Sequence, residues 1–335
     1  MERVKVVILN WNGRAYLERF LPSVVRNTPG VPIVVADNGS TDDSVPFLRA
    51  CFPQVEVIVL DRNYGFAEGY DRALERIEAE YFLLLNSDIE VPEGWLDPLV
   101  ETLDRDGRTA AVAPKILSFD RPDRFEYAGA AGGFIDFLGY PFCRGRILSS
   151  IEADRGQYDD PREVFWASGA CMLVRSEVFR KLGGFDADFF AHMEEIDFCW
   201  RAQLAGYAIR VEPRSHVLHV GGGTLPNDNP HKIYLNFRNN LCMLYKNLSR
   251  PTFWPVLFVR MAMDGLAALV FLAQGRPAFF GKVFRAHVDF HRQRRSLHEK
   301  RAAVQRTRVA RSRWIFRGSI VLRHALGRRI FGRMM

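Results

Sequence analysis

The sequence predicts an α/β fold in which helices flank a mostly parallel central sheet, and three observations support this prediction. Short apolar runs rich in β-branched residues alternate with stretches of helical periodicity, and the runs cover residues 4–9, 32–36, 55–60 and 81–85. Continuously apolar strands of this kind are typical of parallel sheets that are buried on both faces. Each run also ends in polar residues, which is the pattern of a ligand-binding edge.

The polar residues that follow the four runs are candidates for a single binding site. Asn10, Asp37, Asn63 and Asp88 follow the first, second, third and fourth run. Ligands of open α/β sheets bind in the crevice at the carboxyl ends of the strands. We therefore expect these four side chains to line one cleft.

The remaining sequence indicates two segments of different character. The pattern predicts a helix over 194–205 that stops at Gly206, and strands over 208–211 and 215–220. An apolar stretch follows at 253–273. We expect a catalytic domain in residues 1–250 and a helical, basic extension in residues 251–335.

Composition narrows the class of protein. The chain has 335 residues, 48% of them hydrophobic, which is enough for a large core. The five cysteines are scattered without CxxC spacing, so we expect neither a zinc site nor a disulfide framework, and a reducing compartment. The first residues enter a strand pattern directly, and we expect no signal peptide.

Charge is distributed unevenly along the chain. The net charge is +7, but residues 276–335 contain 17 Lys and Arg and only two acidic residues. A basic segment of this kind indicates a polyanionic partner, either nucleic acid or an anionic membrane surface.

Five acidic residues could carry chemistry, and each has a structural alternative. Asp88 could hold a divalent cation or cap a helix, and Asp37 could bind a nucleobase or begin a turn. Glu194, Glu195 and Asp197 open a predicted helix, where the helix dipole also favours acids. Asp197 has Arg201 four residues on, whereas Glu195 has no such partner and could act as a general base.

Two histidines lie three residues apart in a predicted strand. His216 and His219 should point to opposite faces, so a metal shared between them is not expected. One of them could still face the cleft, and the glycines at 221–223 would let a ligand approach the backbone.

Seven segments in unbroken order across residues 3–245 resemble the family 2 glycosyltransferases, inverting enzymes of the GT-A fold, and in particular bacterial rhamnosyltransferase-like members. The segments are VVILNWNG, VVADNGSTDDS, RNYGFAEGYDRAL, YFLLLNSDIEVPEGWL, ASGACMLVRSEVFRKLGGFDADFF, MEEIDFCWRAQLAGY and HVLHVGGGT. The resemblance implies transfer of a sugar from a nucleoside-diphosphate sugar to an acceptor hydroxyl, in cell-surface polysaccharide or lipopolysaccharide synthesis.

The resemblance also implies roles for single residues. The donor nucleotide would be bound by Asn10, Asn12, Asp37, Asn63 and Gly65. Asp88 matches the last acid of the family's DXD motif, whose first acid is replaced here by Asn86, and with His219 it would hold Mg²⁺ or Mn²⁺. Glu195 matches the catalytic base, where Asp is more usual, and Glu194 and Asp197 would contact the acceptor.

Two other classes are compatible with parts of the sequence. A nucleotidyltransferase would share the α/β body, but the first turn, Asn-Trp-Asn-Gly, has no P-loop lysine. A nucleic-acid-binding protein would explain the basic tail but would leave the acidic sites unused. We therefore expect a glycan or lipid-linked acceptor and an anionic membrane surface as partners, and no nucleic acid.

The extension predicts a location. Residues 253–273 have about the length that spans a bilayer, but Arg260 and Asp264 lie on one helical face. The next segment, 279–290, alternates large apolar residues with basic ones, as in helices that lie in the membrane interface. We expect peripheral or monotopic attachment to the cytoplasmic face of the inner membrane. The alternative is a helix packed on the catalytic core with a solvated tail.

Overall fold

Strands and helices alternate through the first half of the chain. The computed structural model describes residues 2–221 and 229–333. The elements are β1 (Glu2–Asn10), α1 (Arg14–Asn27), β2 (Ile33–Asp37), α2 (Ser44–Cys51), β3 (Glu56–Val59), α3 (Gly65–Leu74), β4 (Ala79–Asn86), β5 (Ile89–Glu90), α4 (Asp97–Arg105) and β6 (Thr109–Ser118). The four predicted N-terminal strands are confirmed to within a few residues at each end.

The second half contains short strands followed by helices. It comprises β7 (Gly133–Asp136), β8 (Pro141–Cys143), β9 (Arg146–Ile147), β10 (Ser150–Ile151), β11 (Arg162–Val164), β12 (Cys171–Arg175), α5 (Ser176–Lys181), α6 (Glu194–Leu204), β13 (Ala208–His219), α7 (Pro230–Asn247), α8 (Arg250–Ala273), α9 (Pro277–Arg292), α10 (Arg294–Arg306), β14 (Ile315–Phe316) and α11 (Ile320–Ala325). The predicted strands 208–211 and 215–220 form the single strand β13, with a register shift between Glu212 and His216.

The central sheet has nine strands, eight of them in the order β11-β13-β6-β12-β4-β1-β2-β3, with β5 paired to β13. Strands β1 to β4 are parallel to one another, as predicted. Strand β12 is antiparallel to both of its neighbours, so the sheet as a whole is mixed. The α/β class and the flanking helices are confirmed.

The C-terminal extension packs on the catalytic domain. Phe253, Phe290, Leu297 and Ile320 belong to the same hydrophobic core as the central sheet. Strand β14 pairs with β7 and so extends a second, five-stranded sheet. The predicted boundary at residue 250 therefore does not separate two independent cores.

Helix α8 has one buried face and one apolar, exposed face. Arg260 and Asp264 form a buried ion pair at 2.7 Å, and the Arg260 guanidinium also donates to the backbone oxygen of Leu138. The opposite face exposes Trp254, Phe258, Leu266 and Leu269 to more than half of their full extent. By length and composition alone, α8 is long and apolar enough to cross a membrane. Of its most apolar 18-residue stretch, 22% is buried inside the protein.

Candidate active site

The carboxyl ends of β1 and β2 form the first part of the site. Asn10 and Asp37 are opposite each other in the register, and the Asn10 amide donates to the Asp37 carboxylate at 2.9 Å. The other Asp37 oxygen accepts from the backbone N–H of Ser40, also at 2.9 Å. Asn12 is in the left-handed region with φ 50°, and its side-chain oxygen accepts from the backbone N–H of Thr41. The strand pattern grouped Asn10 and Asp37 correctly, and Asn12 was added to them by the family resemblance.

Asn38 connects this pocket to Asn63 and Gly65. Its buried amide donates to the side-chain oxygen of Asn63 at 3.2 Å and to the backbone oxygen of Gly65 at 2.9 Å. Its side-chain oxygen accepts from the N–H of Tyr64. Sequence analysis did not select Asn38, although it directly follows Asp37. The predicted donor-binding residues are therefore linked by one hydrogen-bond network.

Asp88 and His219 meet at the end of β13. The Asp88 Oδ1 atom lies 3.2 Å from His219 Nε2, and Asp88 Oδ2 accepts from the backbone N–H of Gly221. The side-chain amide of Asn86, at the end of β4, is 3.4 Å from the same His219 nitrogen. His216 is exposed, which confirms that the two histidines face opposite sides. Gly222 and Gly223 lie outside the described residues.

Glu126 completes this cluster, and sequence analysis missed it. Its carboxylate lies 3.2 Å from His219 Nδ1, on the side of the ring away from Asp88. Burial alone would lower the pKa of His219, but the two carboxylates raise that pKa to about 10. In turn His219 lowers the pKa of Asp88 against the effect of its burial.

The chemistry of these side chains fits a divalent cation. Asp88 Oδ1 and His219 Nε2 lie side by side, so a cation bound between them would take the place of the proton on that nitrogen, and a second carboxylate lies beside the other imidazole nitrogen, as is usual for metal-binding histidines. Within residues 2–221 and 229–333, no three His, Cys, Asp or Glu side chains are arranged to hold a metal ion. The oxygens of a bound diphosphate would therefore have to supply further ligands, as is common for Mg²⁺.

The segment before α6 is held in an unfavourable backbone conformation. Phe190, His192 and Met193 all have positive φ, between 63° and 74°. Such strain costs on the order of 1–3 kcal/mol per residue and is found mainly at functional sites. We call residues 190–193 the catalytic loop because Glu194 and Glu195 follow it directly.

Asn239 on α7 stabilises the catalytic loop. Its side-chain amide nitrogen lies within 2.9 Å of the backbone oxygens of Phe189, Ala191 and His192. Arg238 donates to the side-chain oxygen of Asn239, which fixes the orientation of the amide. These bonds compensate for the strain of the loop. Asn239 was not selected from the sequence, since no local pattern relates it to residues more than forty positions away.

The catalytic loop also contacts the donor pocket. The N–H groups of Phe66 and Ala67, at the start of α3, donate to the backbone oxygen of Phe190 at 2.6 and 3.1 Å. Gly65 makes this approach possible, because a Cβ atom there would lie 2.5 Å from that same oxygen. The position of Gly65 is therefore set by packing of the loop as well as by the pocket.

Glu194 and Glu195 are the unusual acids of the site. One carboxylate oxygen of each is buried and has no hydrogen-bond partner among the described residues. Burial raises the pKa of Glu195 to about 7. Burial and the neighbouring Glu195 raise the pKa of Glu194 well above its usual range. Repulsion between the two carboxylates therefore disfavours the state in which both are ionised.

Glu195 lies at the same sheet edge as the metal cluster. A Cβ atom on Gly169 would be 3.6 Å from the Cβ of Glu195. The next residue, Ala170, accepts a backbone hydrogen bond from Asn86 at the end of β4. The prediction that Glu195 lacks a structural partner agrees with this environment.

Asp197 has a different role from the one predicted. It is fully buried, and it binds Arg201 at 2.8 Å, Lys246 at 2.9 Å and the Asn247 amide at 2.8 Å. These partners occupy both carboxylate oxygens. The acceptor-binding role expected for Asp197 is therefore not supported by its surroundings, and the residue joins α6 to α7.

Comparisons with known proteins agree with this architecture. The sequence model described as "Glycosyl transferase family 2" matches residues 5–183, more than half of the chain. The N-acetylglucosaminyl-diphospho-decaprenol L-rhamnosyltransferase of Mycobacterium tuberculosis (strain CDC 1551 / Oshkosh) is 29% identical over 233 residues, 64% of this chain and 75% of that protein. Rhamnosyltransferase WbbL of Escherichia coli (strain K12) is 24% identical, over 74% of this chain and 93% of its own length.

A solved structure supports the fold. The crystal structure of GalNAc-T7 with UDP, GalNAc and Mn²⁺ superposes with a TM-score of 0.57 at 18% identity, and the match covers 73% of this chain and 48% of that one. This likeness confirms the GT-A type of α/β fold. The family match and the fold together identify the chain as a member of glycosyl transferase family 2, a glycosyltransferase of the hexosyltransferase type.

Proposed function

We propose that this enzyme transfers a rhamnosyl or other hexosyl group, with inversion, from a nucleoside-diphosphate sugar to a hydroxyl of a lipid-linked glycan during cell-surface polysaccharide synthesis. The observation that carries the proposal is Glu195, a carboxylate with a pKa of about 7 and one unpartnered buried oxygen, next to a site suited to a metal and a diphosphate. A general base works best when its pKa lies near the working pH.

The residues suggest a single displacement. Asp37 and Asn10 would bind the nucleobase, and the network of Asn38 would hold the pocket around it. Glu195 would accept the proton of the acceptor hydroxyl as the oxygen attacks the anomeric carbon. Asp88 and His219 would hold Mg²⁺ or Mn²⁺, which would neutralise the charge of the departing nucleoside diphosphate. Attack opposite the leaving group would give the inverted product.

Glu194 would contact the acceptor from beside the base. Burial and the neighbouring Glu195 raise its pKa and so favour its protonated form, which could donate a hydrogen bond to an acceptor oxygen.

The same proposal includes attachment to the cytoplasmic face of the inner membrane. The exposed face of α8 is apolar, while its only charged pair, Arg260 and Asp264, points into the protein. Burying exposed apolar side chains in lipid is favourable, whereas a lipid-facing ion pair would not be. The 17 basic residues after position 275 would add attraction to anionic lipids rather than to nucleic acid.

Transfer is tested by incubating the protein with a panel of nucleotide sugars, with Mn²⁺ or EDTA, and a prenyl-diphosphate-linked acceptor sugar. We expect one donor to be consumed in the presence of metal, and NMR of the product to show an inverted anomeric centre. Retention of configuration would contradict the mechanism. Failure of every donor would contradict the proposed function.

Membrane attachment is tested by flotation with vesicles that contain anionic lipid. The variant Phe258→Glu/Leu269→Glu should lose binding, because it places two charges on the exposed face of α8. Val59→Glu/Val309→Glu, which changes two exposed apolar residues elsewhere, should bind as the wild type does. A truncation at residue 250 is unsuitable, since it removes part of the core. Equal binding of both variants would contradict attachment through α8.

A further inference from the structure

A cavity of about 480 Å³ lies between α7 and α9 and borders the candidate active site at Phe190 and Arg238. Its lining includes His231, Tyr234 and Arg238 from α7, Lys282 and Arg285 from α9, and Phe190 from the catalytic loop. Its volume is in the range of small-molecule sites. Through Phe190 it lies beside the catalytic loop, which Glu194 and Glu195 follow directly.

The cavity is strongly cationic. Three of its lining residues are Lys or Arg, and no lining residue from the described part of the chain carries a carboxylate. Arg238 already donates to the backbone oxygens of Asp188 and Phe189, just before the catalytic loop. Lys282, by contrast, has no hydrogen bond or ion pair among the described residues. Arg285 makes only a 3.4 Å contact with Asp289 and is largely exposed. Two cations are therefore available for an anionic ligand.

The electrostatics of His231 agree with this geometry. Its pKa is lowered first by burial and then by the positive charges of Lys282 and Arg238. The positive charges of Lys282 and Arg238 thus both act on His231 in the cavity. A phosphate group bound there would reduce the repulsion between these two side chains.

The surroundings of the cavity are apolar. Phe190 and Leu235 form part of its wall. Phe284, between the two free cations on α9, is exposed to 66% of its full extent, and α9 packs on α8, whose outer face is apolar. A ligand that joins a phosphate to a hydrocarbon chain would match both features.

We propose that this cavity binds the phosphate or diphosphate of an amphiphilic, lipid-linked acceptor, with Lys282 and Arg285 as its ligands and the chain lying along the apolar surface of α8 and α9. The inference rests on the proposed function, and it names the part of the acceptor that is recognised away from the reacting hydroxyl. Charge-assisted hydrogen bonds to phosphate are the strong polar contacts in proteins.

Binding is measured by calorimetry with geranyl diphosphate, geraniol and inorganic diphosphate. The buffer contains no divalent cation, so that binding at Asp88 and His219 is suppressed. The variant Lys282→Ala/Arg285→Ala is compared with Arg294→Ala/Arg295→Ala, which removes two exposed charges from α10. Unfolding temperatures confirm that each variant is folded.

We expect geranyl diphosphate to bind the wild type and the α10 variant equally, and the cavity variant at least about tenfold more weakly. Equal affinity for both variants, or no binding to the wild type, would overturn the proposal. Geraniol binding as tightly as geranyl diphosphate would exclude phosphate recognition, and inorganic diphosphate doing so would exclude the lipid. If the binding pattern appears but no nucleotide sugar is used, the proposed function fails and the phosphate site stands.

Discussion

Replacing Glu195 by Gln should abolish transfer and at the same time stabilise the protein above neutral pH. The two effects have one cause, which is the burial of an ionisable carboxyl group without a charged partner. Gln keeps the size and hydrogen-bonding capacity of the side chain but cannot accept the proton or carry the charge.

The size of both effects follows from the environment of Glu195. Loss of a general base reduces the rate by about 10²–10⁴-fold, or about 3–5 kcal/mol of barrier. The carboxyl group has a pKa of about 7 when folded, against 4.5 in the unfolded chain. Between these pH values the folded state binds more protons, so the free energy of unfolding falls as the pH rises. At about 1.4 kcal/mol per pKa unit, ionisation of Glu195 lowers the free energy of unfolding above pH 7 by about 3.5 kcal/mol.

The assay combines kinetics and thermal unfolding across pH. The wild-type rate should rise with pH, with half of its maximum near 7 and about one tenth at pH 6, because only the ionised base is active. Glu195→Gln should unfold at a temperature a few degrees higher than the wild type at pH 8, and at a similar temperature at pH 4.5. The matched control is Glu194→Gln, which keeps the ability to donate a hydrogen bond to the acceptor and should keep activity within about tenfold.

Three results would refute this reasoning. Full activity of Glu195→Gln would assign the base to another group. Loss of activity together with lower stability at pH 8 would mean that the substitution disturbs the fold. A rate independent of pH between 6 and 8 would mean that the ionisation of Glu195 does not limit the reaction.

Three further changes test other parts of the site. Asp88→Ala should weaken donor binding only when Mg²⁺ or Mn²⁺ is present, so titrations in EDTA should not distinguish it from the wild type. Asn239→Ala should lower kcat by about 10–100-fold with little change in nucleotide affinity, because the catalytic loop loses its hydrogen bonds to α7 and Glu195 is displaced. An unchanged kcat would contradict this positioning role. Lys246→Met should lower the free energy of unfolding in urea by about 1–3 kcal/mol, because Asp186 and Asp197 each lose one buried countercharge but keep Lys300 and Arg201; an unchanged free energy of unfolding would contradict this.

The sequence alone determined the strands and the edge at which the site lies. Apolar runs predict buried strands because their side chains must be removed from water, and the residue at which each run ends is the residue that reaches the edge. Asn10 and Asp37 could therefore be placed together without coordinates. The isolation of Glu195 was also visible, since a helix allows few neighbours at the i+4 position and Cys199 occupies it.

Only the tertiary structure decided which groups from distant segments meet. Three contacts illustrate this: Glu126 lies beside His219, Asn239 bonds to the catalytic loop, and Lys246 pairs with Asp197. The partners are far apart in the chain, and no periodicity of the sequence predicts such contacts. The extension illustrates the same limit. The sequence predicts that α8 is apolar and contains one ion pair, but the orientation of that pair depends on what packs against the helix. In the structure, Arg260 and Asp264 face the catalytic domain, and the apolar face of α8 is left exposed. A buried ion pair is stable only where protein groups replace the water molecules that would hydrate it, and here Leu138 and Asn240 do so for Arg260.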